Sequence, residues 1–132
     1  MTVDRLFLDA NVLFSAAYRA GAGIARLWEL EKVELVTSAY AAEEARVNLA
    51  EEDQRCRLQE LLGRVRIVAG LARLLPSTTL PEKDRPILQA ALHARATHLL
   101  TGDRQHFGKY FGRRVGGMLV LPPAAYFKRN KP

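Results

Sequence analysis

Short apolar runs alternate with stretches of helical periodicity along nearly the whole chain, and that alternation restricts the fold more than any other feature. Val3 to Leu8, Val33 to Thr37, Val65 to Ala69, His98-Leu99-Leu100 and Met118 to Leu121 read as strands. Between them, Asn11 to Tyr18, Gly23 to Lys32, Ala39 to Ala50, Glu51 to Leu62 and the segment opened by Asp84 carry helical patterns. Strands separated by helices predict an α/β fold, a mostly parallel sheet of about five strands between two layers of helix. With 132 residues the chain makes one domain, residues 1–132.

The punctuation agrees with this division. Gly21-Ala22-Gly23 is a turn, and Ser38 is placed to cap the helix after the second strand. Glu51-Glu52-Asp53 puts negative charge at a helix start, where it suits the dipole, and the helices on either side of it can form a hairpin. Pro76-Ser77-Thr78-Thr79-Leu80-Pro81 is the most loop-like stretch. Pro86 falls in the first turn after Asp84, ahead of the apolar stripe Ile87, Leu88, Ala91 and Leu92. Pro122-Pro123 opens a last helical turn before the basic tail Lys128-Arg129-Asn130-Lys131.

Composition removes several function classes. A chain 48% hydrophobic and 26% charged is neither disordered nor membrane-embedded. Leu6 to Tyr18 is apolar, but Asp9 and Asn11 interrupt it and Asp4 precedes it, which argues against a signal peptide. Cys56 is the sole cysteine, so there is neither an internal disulfide nor a cysteine metal cluster, and a reducing, cytoplasmic setting is expected. A formal net charge of +6 and a pI near 9.9 favour a polyanionic partner.

Against this basic background, four acids recur at one kind of place. Asp9 and Asp103 directly follow strands, Asp84 opens a helix, and Glu44 lies in the first two turns of another. In parallel sheets the ligand site lies outside the carboxyl ends of the strands, so all four can reach one rim. Two carboxylates roughly 5 Å apart repel by about 3 kcal/mol at an effective dielectric near 20, and a cluster therefore needs cations or shared protons. Oxygen ligands without cysteine favour Mg²⁺ or Mn²⁺ over zinc or copper. Such ions activate water and polarise phosphate, so no protein nucleophile is required.

The opening Leu8-Asp9-Ala10-Asn11-Val12-Leu13, the segment from Thr37-Ser38 to Glu44-Ala45-Arg46 with Asn48-Leu49, the helix start Asp84-Arg85-Pro86-Ile87-Leu88 and Leu100-Thr101-Gly102-Asp103 with His106-Phe107 together resemble a PIN-domain ribonuclease. This fold is shared by many toxins of toxin–antitoxin pairs. The resemblance implies that Asp9, Glu44, Asp84 and Asp103 bind Mg²⁺ or Mn²⁺ for endonucleolytic RNA cleavage, supported by Asn11 and Thr101. It also implies an antitoxin that masks the rim or inserts an arginine into it, and a homodimer. Trp28 is open to two readings, dimer surface or core. Glu43 and Glu44 flank the direction shared by Tyr40 and Val47, so periodicity does not choose between them; the family pattern alone selects Glu44. Arg104, His106, Lys109, Arg113 and Arg114 follow Asp103 closely and are the candidates for gripping the RNA backbone.

Each residue also has a structural reading. Asp9 and Asp84 are good helix caps, Asp103 a turn residue, Glu44 a solvated charge, and His106 a structural partner of Phe107. His93 and His98 read as packing or surface residues. Two rival functions follow: a non-catalytic RNA- or protein-binding module of the same fold, and a phosphatase using an aspartyl nucleophile. The second normally wants another aspartate two residues after the first, where this chain has Asn11.

Overall fold

The computed structural model describes residues 3–68 and 85–129. The loop expected at residues 76–81, the ligand candidate Asp84 and the tail beyond Arg129 lie outside the described residues. Among the described residues six strands, β1 (Asp4–Leu8), β2 (Val33–Ser38), β3 (Arg66–Val68), β4 (His98–Leu100), β5 (Arg114–Val115) and β6 (Met118–Leu121), form one sheet in the order β3-β2-β1-β4-β6-β5. All neighbours are parallel except β5, which runs antiparallel to β6. Among the described residues six α-helices accompany them: α1 (Ala10–Tyr18), α2 (Ala39–Asn48), α3 (Glu52–Leu62), α4 (Arg85–His93), α5 (Arg104–Phe107) and α6 (Pro123–Arg129).

Burial along β1 shows why the sheet needs two helical layers. Leu6, Phe7 and Leu8 are all fully buried. Successive strand residues face opposite sides, so three buried in a row require cover on both faces. Each such side chain contributes roughly 1.5–3 kcal/mol on leaving water. Leu99, Leu100 and Val120 extend the same core through β4 and β6. The result is the three-layer α/β/α arrangement.

The sixth strand is the extra one. Arg114–Val115 is too short for any periodicity to register, and it turns into β6 through Gly116-Gly117, with φ of 57° and 86°. Two successive left-handed positions make the tight hairpin turn that glycine pairs favour. The expected helix from Gly23 to Lys32 is instead a 3₁₀ helix, Gly23–Glu29. Ile24 and Leu27 are three residues apart, a spacing both helix types satisfy, and Lys32 has already left the helix with a φ of 61°. Trp28 is core: it is buried, its Nε1 donates to the Leu61 carbonyl at 3.0 Å, and it offers no exposed dimer surface.

Helices α2 and α3 both pack on α1, which presents small residues, Ala10, Ala16 and Ala17, among those it buries. Ser38 caps α2 as its position predicts, its hydroxyl accepting from Ala41 N at 3.0 Å. Glu51 caps α3 reciprocally with Gln54. No helix among the described residues is long and apolar enough to cross a membrane.

Candidate active site

The chain leaves β1 toward β2 on one side and reaches β4 on the other, so the strand order reverses between β1 and β4. In open α/β sheets such a reversal leaves a crevice at the carboxyl ends of the strands. Asp9 follows β1 there and Thr101 to Asp103 follow β4. The two strand ends are tied by Asp9 N donating to the Leu100 carbonyl at 3.1 Å.

Asp9 is buried, and its carboxylate is fixed from several sides. Oδ1 accepts from Ala10 N at 2.7 Å; Oδ2 accepts from Thr101 Oγ1 at 2.7 Å and Asn11 Nδ2 at 3.1 Å. Asp9 is thus both the N-cap of α1 and a wall of the crevice. The Thr101 hydroxyl, fully buried, donates to Asp9 while accepting from Asn11 Nδ2 and Asp103 N, which uses its one hydrogen and both lone pairs. Asn11 closes the link, its Oδ1 accepting from Gly102 N at 2.7 Å. A Cβ on Gly102 would stand 3.4 Å from that same oxygen. The contact of Gly102 with Asn11 has no signature in the sequence.

Asp103 caps α5, with Oδ1 accepting from His106 N at 3.1 Å and Oδ2 lying 2.8 Å from His106 Nδ1. His106 therefore orients a carboxylate through Nδ1. A cleft of about 420 Å³ is lined by Asp9, Glu44 and Asp103, together with Asn11, Phe14 and Asn48. Glu44 is half-buried there, and its carboxylate makes no hydrogen bond or ion pair among the described residues. Glu43, by contrast, is exposed and forms an ion pair with Arg46, whose hydrogen bond holds the Glu43 carboxyl below its usual pKa. Geometry thus separates two residues that periodicity could not.

The donor set is entirely oxygen. Among the described residues no three His, Cys, Asp or Glu side chains are gathered tightly enough to hold a metal ion by themselves. Mg²⁺ retains several waters and is commonly held by one or two carboxylates plus substrate phosphate, so an open cleft with carboxylates on its walls fits such an ion in chemistry.

The basic candidates separate in space. Arg104 is exposed on the first turn of α5, immediately after Asp103. Arg114 pairs with Leu119, which pairs with His98, so it stands level with the start of β4, away from the rim. Its guanidinium donates to the Gly117 carbonyl at 3.0 Å. Arg113 lies beside it, and Lys109 sits 5.3 Å from the centre of the Tyr110 ring. Closeness in sequence to Asp103 overstated the closeness of Arg114 to the cleft, because the chain reverses through β5.

The other histidines hold no cleft position. His93 is exposed, and His98 packs edge-on against Tyr126 with centroids 5.0 Å apart. At that opposite end of β1, Tyr126 donates to Asp4 at 2.8 Å, and burial followed by that hydrogen bond pushes its hydroxyl pKa upward.

A family model described as PIN domain matches residues 5–105, a span running from β1 into α5. No curated relative matches at a significant level. Among solved structures, the chain is similar to VapBC2 from Rickettsia felis, bound to a DNA fragment from its promoter. The TM-score there is 0.65 at 14% identity, covering 89% of this chain and 98% of that one. It is also similar to VapBC-1 from nontypeable Haemophilus influenzae, with a TM-score of 0.58 at 17% identity, covering 91% of this chain and 98% of that one. At these identities the likeness is one of fold.

Proposed function

This chain belongs to the PIN-domain family, and from that premise we propose that it is a metal-dependent endoribonuclease, the toxin half of a toxin–antitoxin pair. The observation that carries the reading is the cleft lined jointly by Asp9, Glu44 and Asp103 at the strand-order reversal.

Asp9, Glu44 and Asp103, with Asp84 added on the family pattern, would hold Mg²⁺ or Mn²⁺. A divalent cation there supplies Lewis acidity, lowering the pKa of a water and neutralising charge on the phosphate. The chain's own residues set the geometry. Asn11 and Thr101 lock the Asp9 carboxylate in one orientation, and His106 does the same for Asp103. Glu44 supplies negative charge to the cleft from α2, free of a competing cation among the described residues. Arg104 stands where it can draw the flanking backbone toward the cleft.

The aspartyl-nucleophile alternative fits less well. Asn11 occupies the position of the second acid, and its amide is spent on Asp9, Thr101 and Gly102. An antitoxin partner is supported by the fold's likeness to two VapBC structures. A homodimer belongs to the same proposal, on a surface other than the buried Trp28.

The test is incubation of purified protein with a mixed RNA pool in Mn²⁺, Mg²⁺ or EDTA, followed by analysis of the new ends. Attack by water that expels the 3′ oxygen leaves 5′-phosphate and 3′-hydroxyl ends, in the metal lanes alone. RNA bound but never cut in either metal would support the non-catalytic module instead.

A further inference from the structure

A groove beside the acidic cleft carries chemistry that phosphodiester cleavage does not itself need. Phe14 lines the cleft with Asp9, Glu44 and Asp103, and it also lines a second hollow of about 400 Å³ together with Ser15, Tyr18, Arg19 and Ile24. Ser15 and Ile24 in turn line a third hollow with Asn11 and Asp103. The three hollows share walls and lie side by side along α1, next to the carboxylates.

Two aromatic rings mark this path. Phe14 and Tyr18 lie one helical turn apart with centroids 5.4 Å apart and planes tilted by 37°, and Tyr18 remains 54% exposed. An exposed tyrosine at a helix end usually swings freely, but here its backbone is fastened. The Tyr18 carbonyl accepts from Gln54 Nε2 at 3.0 Å and from Arg57 Nη2 at 3.3 Å, and the Ala17 carbonyl accepts from Arg57 Nε at 3.0 Å. The cation also suits the negative end of the α1 dipole. Arg19, exposed beside the rings, adds positive charge to the same wall.

Aromatic faces interleaved with cations are the chemistry that grips single-stranded nucleic acid, bases stacking on rings while phosphates meet the charges. We propose that the Phe14–Tyr18 groove holds an unpaired base of the RNA substrate, a few nucleotides from the cleaved phosphate. Tyr18 lies about 12 Å along the helix axis from Ala10, at a rise of roughly 1.5 Å per residue. The RNA must then be unpaired at that nucleotide, because a paired base cannot present its face to the groove. This inference rests on the ribonuclease reading for its substrate and on Tyr18 for its own content.

The experiment measures binding of a fluorescein-labelled, unstructured RNA oligonucleotide to the Asp9→Asn protein without divalent metal, so that no cutting intervenes. Abasic nucleotides are placed one at a time along the strand. One position is expected to lose affinity by about tenfold, to lose little further in Tyr18→Ala, and to keep its penalty in Tyr18→Phe. Annealing the complement should weaken binding in the protein with Tyr18 intact more than in Tyr18→Ala. If the abasic profile is the same with and without the Tyr18 ring, the groove takes something other than a base, such as an apolar segment of a protein partner, and the inference is overturned. Metal-dependent cleavage together with an unchanged profile would sink only the groove. A Tyr18-dependent profile without cleavage would sink only the nuclease reading.

Discussion

Thr101 donates its hydroxyl hydrogen to the Asp9 carboxylate at 2.7 Å, joining the end of β4 to the end of β1 across the strand-order reversal. The same oxygen accepts from Asn11 and from the backbone of Asp103. One buried hydroxyl therefore sets the relative placement of two carboxylates that stand far apart in sequence.

Thr101→Val keeps the volume and removes all three bonds. The substitution should cost about 1–3 kcal/mol of stability, the penalty of a buried acceptor left short of a partner, and lower metal affinity or activity by roughly 10–100-fold. Thr101→Ser should keep most of both. Urea denaturation and metal-titrated cleavage rates check the pair.

Glu44→Gln and Glu43→Gln form a second comparison. Glu44 lines the cleft without a partner among the described residues, whereas Glu43 is exposed and engaged with Arg46. Cleavage should vanish in Glu44→Gln and change by no more than about twofold in Glu43→Gln, since exposed ion pairs matter little. Equal losses in the two variants would count against the geometry.

Arg104 and Arg114 part company in the same way. Substituting Arg104 by glutamine should weaken RNA binding at low salt and reduce the salt slope by about one. Arg114→Gln, on the hairpin level with His98, should leave both unchanged. Fluorescence anisotropy across a salt series reads the difference.

His98 gives the protein a pH signature away from the cleft. Its pKa is lowered from the ordinary value of 6.5, first by burial and then by Arg114 and Arg129, with Asp4 opposing. The unfolded chain therefore takes up this proton first as pH falls, so stability is full above about pH 6.5 and declines through the lower folded pKa. Denaturation midpoints between about pH 7 and 5 should fall less in His98→Gln than in the native protein.

Much of this molecule was legible from local pattern. The strand ends at Leu8 and Leu100, the cap at Ser38 and the shared cleft of Asp9, Glu44 and Asp103 all follow from apolar runs, breakers and the rule for parallel sheets, while the fourth expected acid, Asp84, lies outside the described residues. Three features were not. A two-residue strand has no period, so β5 was invisible even though Gly116-Gly117 announced its turn. Helical spacing fits both 3₁₀ and α geometry over a few residues, which concealed the true form of Gly23–Glu29. Partner choice was the third: Glu43 and Glu44 differ in what lies opposite them, and that is decided by tertiary packing. Phe14 and Tyr18 read as ordinary helix residues for the same reason, since a groove forms only when α1 meets the Gly23 turn.

On the proposed function, Asp9 is a working carboxylate of a metal-dependent ribonuclease and more than a helix cap. Asp9→Asn keeps the cap oxygen that accepts from Ala10 N and removes the charge. The deciding measurement is RNA cleavage by native protein and by Asp9→Asn, each shown to be folded and free of partner, in Mn²⁺, Mg²⁺ and EDTA. Cutting is expected from the native protein in metal alone, and none from the variant. Cleavage that persists in Asp9→Asn, or fails in the native protein in both metals, would contradict it.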